Sequence, residues 1–456
     1  MPSVLNRVER GRYLDSVALM RLSRRLSALP GVEEASLMIG SPSNKALLKE
    51  AGLLAAEGEQ AGANDIVIAL RASDERLGRD ALQSALTLEA TPEISSASMP
   101  RVRSLARAID AQPGTNLALI SVPGEFAVAE ARKALNAGLH ALVFSSGVPL
   151  EEERALKLLA REKGLLLMGP DCGTALIGGT PLAFGNVVPR GDVGIISASG
   201  TGLQEVSCLL ARMGKGVSHG IGVGGRDLDE RVGALATLDA VDALERDART
   251  AAIVLISKPP APRVAEQVLE RLARCGKKTV VCFLGLDKPG LAATLLAAAE
   301  MAAGAKLPNE NFSIDKIKGR VQALYCGGTL CSEAELIFRR RGLQGHTFID
   351  LGDDRYTRGR PHPMIDPEIR NAHIAAAAKD PAVGVILVDV VLGYGAHHDP
   401  AGVLVKVNSK LMIASVTGTD DDPQFRARQV GKLRNAGVIV APSNAQAAEL
   451  AAASVY

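Results

Sequence analysis

Two stretches of this 456-residue sequence decide the fold: Val193–Thr201, which reads VGIISASGT, and Val321–Thr329, which reads VQALYCGGT. Each is a short apolar run that ends in a glycine–threonine pair, and a constant offset of 128 residues (321 − 193) superposes them. The same offset aligns further pairs: Gly214 with Gly342, Ile221 with Ile349, and Gly224 with Gly352. Because strand, tight turn, helix and glycine recur in one order, the sequence predicts an internal duplication.

The sequence around this duplication predicts an α/β fold. From Asn116 onward, short apolar runs alternate with helical patterns, as in a parallel sheet that is covered by helices on both faces. Residues 1–110 predict a small α+β domain of ferredoxin-like type. Residues 88–115 contain Thr-Pro, Met-Pro and Gln-Pro-Gly steps, which are typical of a linker.

Composition excludes several classes of partner. Lysine and arginine total 52 and aspartate and glutamate 50, so the net charge of +2 gives no long-range attraction to nucleic acid. Aromatic residues make up 3% and Trp is absent, which disfavours a base-stacking surface. No apolar run reaches the roughly 18–20 residues that span a bilayer. Six cysteines without a CxxC pair suggest reduced thiols. We therefore predict a cytoplasmic protein that binds neither nucleic acid nor membrane.

The two strand–turn–helix junctions of the duplication, which we call the corners, predict an anion site. The first turn of a helix carries unpaired backbone N–H groups and the positive end of the helix dipole, and small residues let an anion approach them. Ordinary helix caps in tight turns are the alternative for either corner alone, but two related turns can direct both helix ends at one point. The predicted phosphate ligands are Ser197, Ser199, Gly200, Thr201, Gly202, Gly327, Gly328 and Thr329.

Loops after later strands predict contacts to an anionic substrate. The residues chosen for this role are Gly225, Arg226, Asp227, Asp353 and Arg360. A guanidinium group can donate two parallel hydrogen bonds to a carboxylate or a phosphate. The alternative for Arg226 is a surface ion pair with Asp227 or Asp229.

Three side chains are candidates for catalysis. Lys258 follows a strand and suits an anionic substrate, with a solvated lysine as the alternative. His362 and His397 are candidates for proton transfer. No metal site is predicted, because His397 and His398 in an extended segment would point to opposite sides. Cys172 is interpreted as a packed thiol.

Several motifs carry a resemblance to known families. Met168–Cys172, Gly191–Thr201 and Gly220–Asp227 resemble the α subunit of succinyl-CoA synthetase, and Thr347–Asp353 and Ala382–Asp399 resemble the C-terminal domain of its β subunit. Nearly the whole chain is similar to the FdrA family of acyl-CoA synthetase-like proteins. The segments that carry this likeness are MGPDCGTALIGGTPLAF (168–184), ASGTGLQE (198–205), GVGGRDL (222–228) and GRPHPMIDP (359–367).

The resemblance implies a domain plan. It predicts a Rossmann-like domain of CoA-binding type at residues 111–190 and two flavodoxin-like domains of CoA-ligase type at residues 191–318 and 319–456. The α+β domain at residues 1–110 precedes them.

The FdrA resemblance also implies a function. It suggests a subunit of an oxamate carbamoyltransferase, which converts oxalurate and phosphate to oxamate and carbamoyl phosphate in allantoin breakdown. Companion subunits from the same gene cluster, a homo-oligomer, or both are expected, and no cofactor is required. Synthetases of the superfamily carry a phosphohistidine after the strand that matches Ile253–Ser257, whereas here no histidine occurs between His219 and His346. The alternative is a succinyl-CoA ligase-like acyl-CoA synthetase that uses CoA, or a noncatalytic subunit that binds CoA or phosphate.

Overall fold

The structure, a computed structural model, describes residues 2–10, 14, 16–85, 102, 104–308, 310, 312, 314, 316–357, 361–405 and 410–455. The chain forms two compact units, Met1–Pro113 with Asp354–Pro361, and Gly114–Asp353 with His362–Tyr456. Within the described ranges, no helix combines the length and the apolar character that a bilayer crossing requires.

The first unit contains a small α+β domain with an antiparallel sheet in the order β1-β3-β2. Its elements are β1 (Ser3–Glu9), α1 (Ser16–Ser27), β2 (Val32–Ile39), α2 (Pro42–Glu50), α3 (Ala56–Glu59), β3 (Ile66–Ala72), α4 (Glu75–Ser84) and α5 (Leu105–Ala111). Leu22, Leu26 and Leu70 lie in its core. The predicted linker contains helix α5, which begins where the Ser104 hydroxyl accepts the Arg107 amide. The predicted linker therefore includes one short helix with a serine cap and no buried residue, and its role as a linker stays a prediction.

The second unit opens with a three-stranded parallel sheet in the order β4-β5-β6. Its elements are β4 (Leu117–Ile120), α6 (Gly124–Asn136), β5 (His140–Val143), α7 (Leu150–Glu162) and β6 (Leu167–Met168). Short strands joined by helices form here as the alternating pattern predicts.

The first duplicated lobe has a six-stranded sheet in the order β12-β11-β9-β10-β7-β8. Its elements are β7 (Thr174–Ile177), β8 (Thr180–Ala183), β9 (Arg190–Ser197), α8 (Gly200–Arg212), β10 (Val217–Gly222), α9 (Leu235–Arg246), β11 (Ala252–Ser257), α10 (Pro262–Ala273), β12 (Lys278–Phe283) and α11 (Leu295–Ala303). Strands β9 to β12 are parallel, and the antiparallel hairpin β7–β8 extends the edge beside β10.

The second lobe has a fully parallel sheet in the order β14-β13-β15-β16-β17. Its elements are β13 (Arg320–Tyr325), α12 (Gly328–Arg340), β14 (Thr347–Asp350), α14 (Glu368–Lys379), β15 (Val383–Val391), α15 (Pro400–Leu404), β16 (Leu411–Thr417), α16 (Arg426–Asn435), β17 (Ile439–Ala441) and α17 (Asn444–Ala453); helix α13 (Asp354–Thr357) belongs to the first unit. Numbered along the lobe, this is the flavodoxin order 2-1-3-4-5, and the first lobe repeats it as 2-1-3-4. The predicted fold class is confirmed, while the domain boundaries stay a prediction.

The two lobes share one hydrophobic core, to which α8, α11, α12 and α17 contribute buried side chains. Glu205 of α8 and Glu333 of α12 occupy equivalent positions of the duplication, and both anchor Asn444. The Asn444 amide N–H donates to Glu205 over 3.0 Å, and its side-chain nitrogen donates to Glu333 over 2.7 Å. Burial raises the pKa of Glu333 to about 7. This packing fixes the N-terminal ends of α8 and α12 relative to each other.

Candidate functional site

The two duplicated corners meet in the structure. Helix α8 begins at Gly200 directly after β9, and α12 begins at Gly328 directly after β13. The Ser199 hydroxyl donates a hydrogen bond of 2.6 Å to the Thr329 hydroxyl. In this fold, ligands bind beyond the carboxyl ends of the strands at the point where the strand order reverses, which is where both helices start. We call Ser199, Gly200, Thr201, Gly328 and Thr329 the twin-corner site.

Backbone donors face this site. Ser199 caps α8 by accepting the Gly202 amide, whereas no side chain of the described residues caps α12. In the described part of the chain, the amides of Gly200, Thr201, Gly328 and Thr329 make no hydrogen bond to protein. The positive ends of two helix dipoles add to these free donors. The arrangement is chemically suited to a tetrahedral oxyanion.

Three predicted phosphate ligands have another role. The Ser197 hydroxyl donates to the Ser199 carbonyl over 2.7 Å and accepts the Ser199 amide over 3.1 Å. The Gly202 amide donates to the Ser199 hydroxyl, and the Gly327 amide donates to the Asp389 carboxylate over 2.8 Å. Their polar groups are thus already bonded, and we correct their assignment from phosphate contact to support of the corners.

A carboxylate and an ammonium group flank the corner at Gly328. A β-carbon built on Gly328 would collide with Asp350 Oδ2 and would lie 3.7 Å from Lys258 Nζ. Burial raises the pKa of Asp350 to about 6, although the Gly352 amide and the Lys258 charge both lower it. Lys258 is exposed, as its position after β11 predicts. Sequence reasoning missed Asp350, although its place at the end of a strand was a usable signal.

The loop after β10 is held by an internal ion cluster. Asp227 is fully buried, and its carboxylate accepts hydrogen bonds from Lys157 over 2.8 Å and from Thr237 N over 2.8 Å. Asp227 therefore cannot contact a bound substrate, and that prediction is corrected. Arg226 forms an ion pair with Glu153 over 2.8 Å. The alternative interpretation, a surface ion pair with Asp227 or Asp229, therefore named the wrong partner.

Gly225 is exposed beside the first corner. A β-carbon built there would lie 3.9 Å from the Ala198 carbonyl. Asp353 is exposed on the loop after β14. Their contacts to substrate stay predictions. Arg360 lies outside the described residues.

The two candidate histidines lie on either side of Met364. Nδ1 of His362 accepts the Met364 amide over 3.2 Å, and the His397 amide donates to the Met364 carbonyl over 2.7 Å. Burial lowers the pKa of His362 to about 4. Its ring is therefore neutral near pH 7 and carries its proton on Nε2, which suits hydrogen-bond donation better than proton uptake.

The paired histidines do not diverge as predicted. The ring centroids of His397 and His398 lie 4.3 Å apart, because the chain bends here instead of running extended. That expectation was wrong. Among the described residues, no group of three or more His, Cys, Asp or Glu side chains is arranged to hold a metal ion. Cys172 is buried, and burial raises the pKa of its thiol to about 12.

Comparison with known proteins places the chain in a family. Residues 324–454 match the CoA-ligase family. The Escherichia coli (strain K12) protein YahF, itself described as uncharacterized, is 42% identical over 96% of both chains. The chain belongs to the YahF family. This YahF-like chain is also 32% identical to the α subunit of an ADP-forming succinate–CoA ligase from Aquifex aeolicus, over 32% of the chain and 49% of that subunit. The YahF family thus lies in the succinyl-CoA synthetase-like superfamily.

A solved structure shows a weaker likeness. A dinucleotide-forming acetyl-coenzyme A synthetase from Ca. Korarchaeum cryptofilum, in complex with phosphate and ADP, aligns over 74% of this chain and 82% of its own at 20% identity. The TM-score is 0.31.

The N-terminal residues match a family whose name implies a metal. Residues 1–99 match the AllF heavy metal-associated domain. Heavy metals bind thiolate and imidazole ligands, yet residues 1–99 contain neither Cys nor His; the first of each in the chain are Cys172 and His140. These residues do not fit a heavy-metal site.

Proposed function

We propose that the twin-corner site binds phosphate, free or as part of an acyl phosphate, and that the protein is a subunit of an acyl-CoA synthetase-like enzyme. The 2.6 Å hydrogen bond between Ser199 and Thr329 carries this proposal, because it brings the amides at the starts of α8 and α12 to one place. The kinship with CoA ligases supports this class of reaction. A shared fold alone would not support this class of reaction, since proteins of one fold catalyse many different reactions.

Each group near the site has a part in the proposed reaction. The amides of Gly200 and Gly328 hold the phosphate oxygens and orient one of them toward the acyl carbon. That oxygen forms the new bond while the thiol of CoA departs, so that acyl-CoA and phosphate give acyl phosphate and CoA. Asp350, whose pKa is about 6, is placed to carry the proton from phosphate to the departing sulfur. Lys258 supplies a positive charge for the negative substrate.

Carbamoyl transfer is the second candidate. No histidine occurs between His219 and His346, so the loop after β11 holds Lys258 and no phosphoryl carrier. A phosphate site without such a carrier favours a reaction in which phosphate itself, or an acyl phosphate, is the substrate. Carbamoyl phosphate is such a compound, and the resemblance to FdrA proteins points to oxalurate as the carbamoyl donor. CoA is then not required.

Product analysis separates the two candidates. The purified protein, alone and with its companion subunits, is incubated with oxalurate and phosphate, or with ATP, CoA and succinate. Carbamoyl phosphate, observed by phosphorus NMR, supports carbamoyl transfer, whereas ADP release that needs both CoA and succinate supports the ligase.

A matched pair of variants locates the reaction. Gly328→Ala places a β-carbon against Asp350, whereas the exposed Gly276→Ala meets only Glu245 at an ordinary 3.7 Å. We expect Gly328→Ala to lose phosphate binding and turnover while Gly276→Ala keeps both. Equal activity of the two variants contradicts the proposed site.

A further inference from the structure

A cavity lies in the second lobe, remote from the twin-corner site. It has a volume of about 300 Å³ and is lined by Arg426, Val430 and Arg434 of α16, by Pro442 after β17, and by Glu310, among others. Arg212, at the C-terminal end of α8, donates to the Pro442 carbonyl. Helix α8 has 13 residues, so its ends are separated by roughly 18 Å at about 1.5 Å per residue.

Two guanidinium groups beside this cavity, those of Arg212 and Arg426, make no direct ion pair with any carboxylate that the structure describes. Arg426 Nε donates to the Val416 carbonyl over 3.1 Å, and Arg212 donates to a carbonyl as well. Over the described residues, no carboxylate oxygen lies within 4.0 Å of either group. Burial, followed by the neighbouring Arg212 charge, lowers the pKa of Arg426 to about 10. Each guanidinium has five N–H donors, so most of them remain for a ligand.

The acidic side chains nearest to these guanidinium groups accept hydrogen bonds from other donors. Glu205 accepts the Thr417 hydroxyl and the Asn444 amide, and Asp420 accepts the Ala427 amide over 2.6 Å. At the rim, Arg434 pairs with Glu310 over 2.6 Å. Among the described residues, the cavity therefore contains one rim ion pair and, deeper, the partly buried Arg426 guanidinium, which makes no direct ion pair. The charges of Glu205 and Asp420 act on it only from beyond 4.0 Å.

We infer that this cavity is a binding site for a small organic anion that presents a carboxylate or a phosphate to Arg426. A buried cation is costly unless it is paired, and the planar guanidinium fork matches both kinds of oxyanion. A volume of 300 Å³ equals about ten waters, at roughly 30 Å³ each, so the cavity accommodates a molecule larger than a bare ion. Val430, Val440 and Ala441 provide an apolar wall for its carbon skeleton.

The test measures anion binding where the twin-corner site is blocked. In the Gly328→Ala protein, calorimetric titrations use succinate and inorganic phosphate as probes, and phenylglyoxal labelling with peptide mass spectrometry reports the accessibility of Arg426. We expect one probe to bind saturably and to protect Arg426. The identity of that probe decides between carboxylate and phosphate.

Arg426→Met and Arg428→Met form a matched pair on α16. Arg428 lies over the Phe425 ring and, within the described part of the chain, donates to the Gln424 carbonyl alone. We expect Arg426→Met to weaken probe binding by about ten- to hundredfold and Arg428→Met to leave it unchanged. Without a probe, Arg426→Met should match or exceed the parent in melting temperature, since it removes an unpaired cation. Failure of both probes to bind, or equal binding by Arg426→Met, overturns the inference. Neither result bears on phosphate binding at the twin-corner site.

Discussion

The buried ammonium group of Lys157 provides a quantitative test of how the loop after β10 is positioned. Its Nζ donates to Glu153 over 2.7 Å, to Asp227 over 2.8 Å and to the Val223 carbonyl over 3.0 Å. The Lys157 side chain is 1% exposed, and both carboxylates are fully buried. Lys157→Met keeps an unbranched side chain that is one heavy atom shorter, and it removes the charge and the donors.

The expected loss in the free energy of unfolding depends on the contacts that remain after Lys157→Met. Two carboxylates would stay buried without their shared cation. Asp227 would keep its bonds from the Ala236 and Thr237 amides, and Glu153 would keep Arg226. Removing one partner of a buried ion pair costs about 3–5 kcal/mol, and this remaining support places the expected loss near the lower bound. Even about 3 kcal/mol is a large share of a typical folding free energy of about 5–15 kcal/mol.

Urea unfolding of the second unit measures this loss. The matched control is Lys133→Met on α6, where the lysine pairs with Glu130 at the surface and is 62% exposed. We expect the control to change the free energy of unfolding by less than about 0.5 kcal/mol. A Lys157→Met protein within about 1 kcal/mol of the wild type would refute the view that this cluster holds the loop.

Three further predictions concern the twin-corner site and its neighbours. A double-mutant cycle of Ser199→Ala and Thr329→Val should give a coupling of about 0.5–1.5 kcal/mol in urea unfolding, and no coupling would mean that the corners do not touch in solution. Gly352→Ala places a β-carbon 2.6 Å from His362 Nε2 and 2.5 Å from a backbone carbonyl oxygen. We expect this substitution to lower the free energy of unfolding by about 1–3 kcal/mol, and an unchanged melting curve argues against this packing. Asp350 ionises as the pH rises through about 6, and its negative charge then repels anions. Sulfate does not titrate in this range, so the affinity of the site for sulfate should fall about tenfold as the pH rises past 6. Asp350→Asn should bind sulfate equally on both sides of pH 6, and a persisting step assigns the titration to another group.

The sequence was sufficient for the fold and for the location of the corners. The repeat of VGIISASGT and VQALYCGGT predicts two equivalent strand–turn–helix units, and the structure joins them through Ser199 and Thr329. These predictions succeeded because strand period, glycine turns and caps are local properties.

The side-chain partners could not be predicted in the same way. Asp227 appeared free in the sequence, but Lys157 neutralises it from 70 residues away, and only tertiary packing creates that contact. Asp350 was missed because its altered pKa results from burial, which no local pattern reveals. Likewise, the amides of Gly202 and Gly327 looked available until the positions of their acceptors were known.

The most direct test of the account is a crystal structure determined in the presence of phosphate. We expect one tetrahedral density within hydrogen-bonding distance of the amides of Gly200 or Thr201 on one helix and of Gly328 or Thr329 on the other. Phosphate bound at a single helix end, or a twin-corner site that holds only water at saturating phosphate, would contradict it.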